Sequence, residues 1–246
     1  MQYPYGFVNT KKGEKPMKCR KPIIEIEMAE YSFFFLKENI SEGFEGTVVV
    51  KGDLSGVADI SFDGKLYVEG NLTMCGSLSA EEIEVEGNLE ILDGDASITA
   101  ENIVVKGDFV VGGDLQLCGK LNCKSIKAND SESILIDGNV QTKEIVCMDI
   151  EVGGDLVATT IDARSVTCQG SLDCDELKAF KSVDVFDNLS CKMIYGDTQI
   201  KDHECDPEIT VHGDMEVELF AKAKTIYVDG SFNVGEELNS GTIRIG

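Results

Sequence analysis

The chain has no tryptophan, two histidines and four prolines, and beyond residue 45 its only arginines are Arg164 and Arg244. Each scarcity excludes something. β-Rich polysaccharide lyases and hydrolases line their grooves with clustered acidic, basic and aromatic side chains, which this composition does not supply. With only His203 and His212 available, a metal centre or a histidine base has little to draw on. Past Pro22 the single proline is Pro207, so a long stretch is free of residues that break β ladders. No run of 18 apolar residues exists, which excludes a transmembrane helix. The opening Met1-Gln2-Tyr3-Pro4-Tyr5-Gly6 lacks the apolar core of a signal peptide. No glycine-rich phosphate loop opens a helix, and no C-x-x-C occurs among the nine cysteines. Their number is odd, and Cys75, Cys123, Cys147, Cys168, Cys174 and Cys191 sit at or beside apolar positions. That placement predicts reduced, mostly buried thiols and a cytoplasmic protein.

What is abundant is one phrase: aliphatic-x-aliphatic-x-Gly-(Asp/Asn/Ser)-aliphatic. It begins at Val48-Val49-Val50-Lys51-Gly52-Asp53-Leu54 and returns from Leu66, Ile83, Ile103, Leu115, Ile134, Ile150, Val166, Val183, Ile209 and Ile226. Ile243-Arg244-Ile245-Gly246 repeats its opening. From Val48 to Ile243 is 195 residues in 11 steps, a mean of 17.7. Aliphatics two apart share one face of a strand, and Gly with Asp or Asn supplies a corner by tolerating positive φ. An apolar residue recurs every five or six positions, as at Val48, Leu54, Ile60, Leu66, Leu72 and Leu78, so three sides make one coil. A further side carries an aliphatic, a spacer and Ala, as in Leu78-Ser79-Ala80 and Ile161-Asp162-Ala163, which marks a tight corner. The pattern predicts an all-β fold: a single-stranded, three-sided parallel β-helix of about eleven coils over residues 46–246. Ile83 to Ile103 is 20 residues and Ile103 to Leu115 is 12, which together fit two coils of open phase. Val183 to Ile209 is 26, which predicts a loop around Asp202–Pro207.

Residues 1–45 carry seven basic and seven acidic side chains, so the net charge of −23 lies wholly on residues 46–246, with 15 basic against 38 acidic. Such a surface repels nucleic acid and anionic lipid, and its outward charges discourage sideways pairing of flat β faces. A second reading is a polyanion mimic, a binding module that occupies or inhibits a protein partner. Within residues 1–21, Lys11, Lys12, Lys15, Lys18, Arg20 and Lys21 oppose Glu14 alone, which reads as a flexible basic arm and the one conceivable membrane contact. Residues 22–45 hold Ile23–Met28 and Tyr31–Leu36, two strands joined by a short turn. Ile24, Ile26, Phe33, Phe34 and Phe35 are expected to cap the first coil as a strand or hairpin.

Catalytic candidates are weak. His203 with Cys205 is the one conceivable ligand pair, and His212 falls at an outward strand position. Asp93 with Asp95 and Asp173 with Asp175 read as corner residues. Hexapeptide acyltransferases share a three-sided coil and use a histidine, which would fall to His212. No catalytic, metal or cofactor residue is assigned. The phrases from Val48 to Phe232 resemble those of the bactofilins, polymer-forming bacterial cytoskeletal proteins. The resemblance implies a right-handed β-helix whose ends join without nucleotide, and no enzymatic activity. This chain differs in having more coils, irregular register and the aromatic segment near its start. Self-association is therefore expected through Ile243, Arg244 and Ile245, giving an end-to-end homodimer or filament.

Overall fold

The structure, a computed structural model, describes residues 23–26, 30–32, 36, 44–113, 115–128, 133–196 and 206–246. Its elements are 19 strands in one sheet. Every pairing is parallel and joins a strand to its counterpart one coil along, so the chain is a three-sided β-solenoid of about eleven turns. No helix among the described residues is long and apolar enough to cross a membrane.

Three columns of inward side chains define the faces. The first runs Val48, Leu66, Ile83, Ile103, Leu121, Val140, Leu156, Leu172, Leu189, Met215 and Phe232. The second includes Leu54, Leu72 and Leu89, then Phe109, Ile126, Ile145, Ile161, Leu177, Ile194, Ala221 and Leu238. The third passes through Ile60, Leu78, Ile98, Leu117, Ile136, Val152, Cys168, Val185, Val211, Val228 and Ile245. Between the ends these columns are almost entirely buried and form one continuous core.

The registers settle the irregular spacings. Up to Ile103 the phrase lies on the first face and its corner turns into the second. From Leu115 onward the phrase lies on the third face and its corner turns into the first. One side's worth of residues is missing between these copies, so the whole sequence pattern steps round the rod by a third of a turn. The aliphatic-x-Ala signature moves with it, from the third face at Leu78 and Ile98 to the second at Ile126, Ile161 and Leu177. The long repeats gain their extra length between the described strands of the second and third faces, after Ile91, Ala128 and Gly196. Most of the predicted loop at 202–207 lies outside the described residues. Asp206 is buried there and its carboxylate meets Lys222 Nζ at 2.8 Å.

The corners are built differently from the expectation. Positive φ is confined to Gly56, Gly76 and Gly119 among the described residues, none of them the glycine of a Gly-(Asp/Asn) pair. Corner glycines are needed for closeness: a Cβ on Gly70 would lie 2.6 Å from the carbonyl carbon of Gly52 one coil away. At many corners an Asp or Asn supplies a hydrogen bond along the rod. Asp53 Oδ1 accepts from the Asn71 N–H at 2.7 Å, Asn71 Oδ1 from Asn88 at 2.9 Å, and Asn88 Oδ1 from Asp108 at 2.9 Å. After the phase step the ladder resumes on another edge, through Asn139 to Asp155 and Asp155 to Ser171, and through Asn188 to Asp214 and Asp214 to Ser231.

Strand Ile23–Ile26 pairs parallel with Thr47–Val50, setting Ile24 beside Val48 and Ile26 beside Val50. Strand Glu30–Ser32 pairs parallel with Asp53–Ser61, Tyr31 beside Leu54. The two strands therefore extend the ladders of the first and second faces, and the described pairings include none between them, unlike a hairpin. Ile24 is half-buried against the core, and Leu36 is fully buried within it. Phe33, Phe34 and Phe35, like the arm 1–21, lie outside the described residues.

Candidate functional site

Coil 232–245 is built from strands Phe232–Val234 and Glu237–Ile245, which pair with Met215–Val228 on one side. On the other side no strand meets them among the described residues. The inward columns continue into this coil but are uncovered. Ile226 and Val228 are 0% exposed, whereas Ile243 and Ile245, their partners one coil on, are 40% and 59% exposed. Leu238 repeats the contrast with Ala221 at 39%. Two of the three predicted association residues thus point along the core axis. Arg244 points outward beside Tyr227.

The catalytic candidates do not converge. His212 Nδ1 lies 3.0 Å from Asp229 and its Nε2 3.7 Å from Asp184, with the Phe186 ring 5.0 Å away. The ring therefore joins acidic residues of neighbouring coils. These contacts, with the Tyr227 hydroxyl first among them, hold the Asp229 carboxyl below its ordinary range. Asp173 and Asp175 are exposed, and Asp175 pairs with Lys192 at 2.8 Å. The side chains of Asp93 and Asp95, and the whole of His203 and Cys205, lie outside the described residues. Among the described residues no group of three His, Cys, Asp or Glu side chains is arranged to hold a metal.

Cys123, Cys147, Cys168, Cys174 and Cys191 are buried and free, whereas Cys75 and Cys118 are half-exposed. Burial pushes the Cys123 and Cys168 thiols up to about 11 and Cys147 to about 12. Cys174 is raised by the facing thiol of Cys191 as well as by burial. Thiols so disfavoured as thiolates are poor nucleophiles and poor metal ligands.

Outward charges pair between coils. Lys65 meets Glu84 at 2.8 Å, Lys178 meets Asp162 at 3.1 Å and Lys224 meets Glu208 at 3.0 Å. What composition concealed is that the lysines are unevenly placed: Lys106, Lys120, Lys124 and Lys143 come together on three consecutive coils of the first face. The signal was available in the phase step, because only the true register brings residues 102–106, 120–124 and 139–143 side by side. Comparison with family models, curated proteins and solved structures returns no match.

Proposed function

We propose that this chain is a non-enzymatic structural or scaffolding element, similar in action to the bactofilins, that joins a second copy end to end through coil 232–245. The observation that carries the reading is the exposure of Ile243, Ile245 and Leu238 on a coil whose equivalents elsewhere are buried. Apolar contact and unpaired ladder groups coincide there, and both are satisfied together when another β coil is laid on. A second copy provides that coil, its edge offering the same donors and acceptors in reverse order. Such a contact is isologous and closes after two chains.

Replacing Ile243 and Ile245 by Lys places like charges within one small contact. The double variant should sediment as a monomer at concentrations where the parent sediments as a dimer. A double variant that associates as well as the parent overturns the reading.

A further inference from the structure

The first face carries a second pattern of charge, separate from the ends. Its coils 102–106, 120–124 and 139–143 present Asn102, Val104 and Lys106, then Lys120, Asn122 and Lys124, then Asn139, Gln141 and Lys143, with no carboxylate among these outward residues. On a molecule of net charge −23 this is an exception. Lys120 and Lys143 have no ion pair among the described residues. The surface is also concave: a trough of about 530 Å³ lies over it, lined by Val104, Lys120, Asn122 and Gln141 and bounded by Glu82 and Glu84 on one side and Asp155 on the other. Farther along the same face, coils 171–175, 188–192 and 214–218 present Asp173, Asp175, Asp214, Glu216 and Glu218 against the single Lys192. Asp173, Glu216 and Glu218 likewise have no ion pair among the described residues. Midway between the two patches stands coil 155–159, where Val157 is 43% exposed.

From this placement we propose that two copies of the rod pair side by side, antiparallel, through the first face, with a two-fold axis across the coil of Val157. The register Val104, Asn122, Gln141, Val157, Asp173, Ser190, Glu216 is continuous, with three coils on either side of Val157. Turning one rod end for end about Val157 lays the lysine window of each copy on the acidic patch of the other. Lys143 then faces Asp175, Lys106 faces Glu218, and Lys120 lies within one coil of Glu216. Lys124 faces Lys192, but each already holds a carboxylate of its own chain, Asp108 at 3.0 Å and Asp175 at 2.8 Å, as Lys106 holds Glu86. Val157 meets its own copy at the centre, flanked by Asp155. An isologous contact needs such self-complementarity, and charge of both signs on one face provides it. Seven coils about 4.8 Å apart, each about five residues wide, offer on the order of 500 Å² per copy, near the lower limit of a specific interface. Association should therefore be read at tens of micromolar protein.

The test uses the full chain carrying Ile243→Lys and Ile245→Lys, so that the coil ends make no contribution. That chain, a monomer at the lower concentrations where end-to-end pairing is read, should form a dimer in sedimentation experiments at the higher concentrations where the weaker face contact is read. Adding Lys120→Glu and Lys143→Glu should give a monomer, and so should adding Asp175→Lys and Glu216→Lys. Mixing the two monomers should restore a dimer, because each exchanged pair again joins opposite signs. As a second measurement, Val157→Cys, in a chain whose Cys19, Cys75, Cys118 and Cys205 are Ser, should give a covalent dimer with oxidised glutathione. Glu151→Cys, on the third face, should not. A mixture that stays monomeric, or swap variants that dimerise alone, overturns the proposal. A starting chain that remains monomeric but binds polyglutamate through Lys120 and Lys143 also overturns it, in favour of an acidic polymer as the occupant.

Discussion

A Cβ added to Gly119 would run into the carbonyl oxygen of Ala100 on the preceding coil, and its φ of +134° is one that L side chains rarely adopt. Gly56 has a φ of +120°, but nothing lies within 4 Å of the position its Cβ would take. The pair separates torsional strain from collision. Gly56→Ala should cost about 1 kcal/mol, the strain alone, whereas Gly119→Ala should cost more than about 3 kcal/mol because backbone on two coils must move. Denaturant midpoints of the two variants check this, and equal losses would show that collision contributes nothing. Most corner glycines follow a third logic, in which φ is ordinary and stacking distance decides. The sequence marks these positions as corners but not their reason. Asp and Asn after a glycine are consistent with a left-handed turn and equally with a side-chain acceptor for the next coil, and only the register distinguishes the two.

At the scale of the element, the acceptor ladder makes a stability term that depends on pH. The Asp108 carboxyl is held below its ordinary value of 3.8 by Lys124 first and then by the Ser125 hydroxyl. That of Asp214 is lowered by the Ser231 backbone N–H. A carboxyl whose folded-state pKa is depressed contributes stability that is present above the unfolded value and is lost as pH falls through the lower, folded one. These two carboxylates should thus hold their full contribution above pH 3.8 and lose it below. Asn71, Asn88, Asn139 and Asn188 play the role of Asp214 without a charge, so Asp214→Asn should keep the ladder while Asp108→Asn gives up the Lys124 ion pair, and together they should flatten the acid limb of the stability profile. Chemical denaturation across the acid range measures this, and an unchanged limb would remove these two carboxylates from the account. The strands themselves were legible because alternation and period are properties of neighbours in sequence. The step by one face was not, since a 12-residue spacing fits two sides of a triangle without saying which two. Which form the strand or hairpin cap takes was not legible for a related reason: two apolar strands and a turn describe an antiparallel pair and two sides of a coil equally well.

For the whole molecule, the core and the contact surfaces follow different rules. Inward residues repeat, so the interior could be read almost entirely from the chain, and the exposure of Ile243 and Ile245 followed from their phase. Outward residues are free to vary, and which of them gather on one face depends on every insertion and deletion before them. A net charge of −23 therefore concealed a lysine window. In a solenoid each coil is held by its neighbours, so opening is expected to begin where one neighbour is missing. Amide exchange should accordingly be fastest in Glu237–Ile245 and slowest in strands flanked on both sides, such as Leu156–Cys168. Concentration then discriminates between the two contacts. End-to-end pairing covers the outer N–H groups of Glu237–Ile245, so their exchange should slow as protein concentration rises, and that slowing should vanish in the Ile243→Lys/Ile245→Lys chain. Side-by-side pairing covers side chains of the first face and leaves those end groups open, so it produces no such effect. Exchange in Glu237–Ile245 that is indifferent to concentration, in a parent that nonetheless sediments as a dimer, would assign the association to the face and remove it from the end.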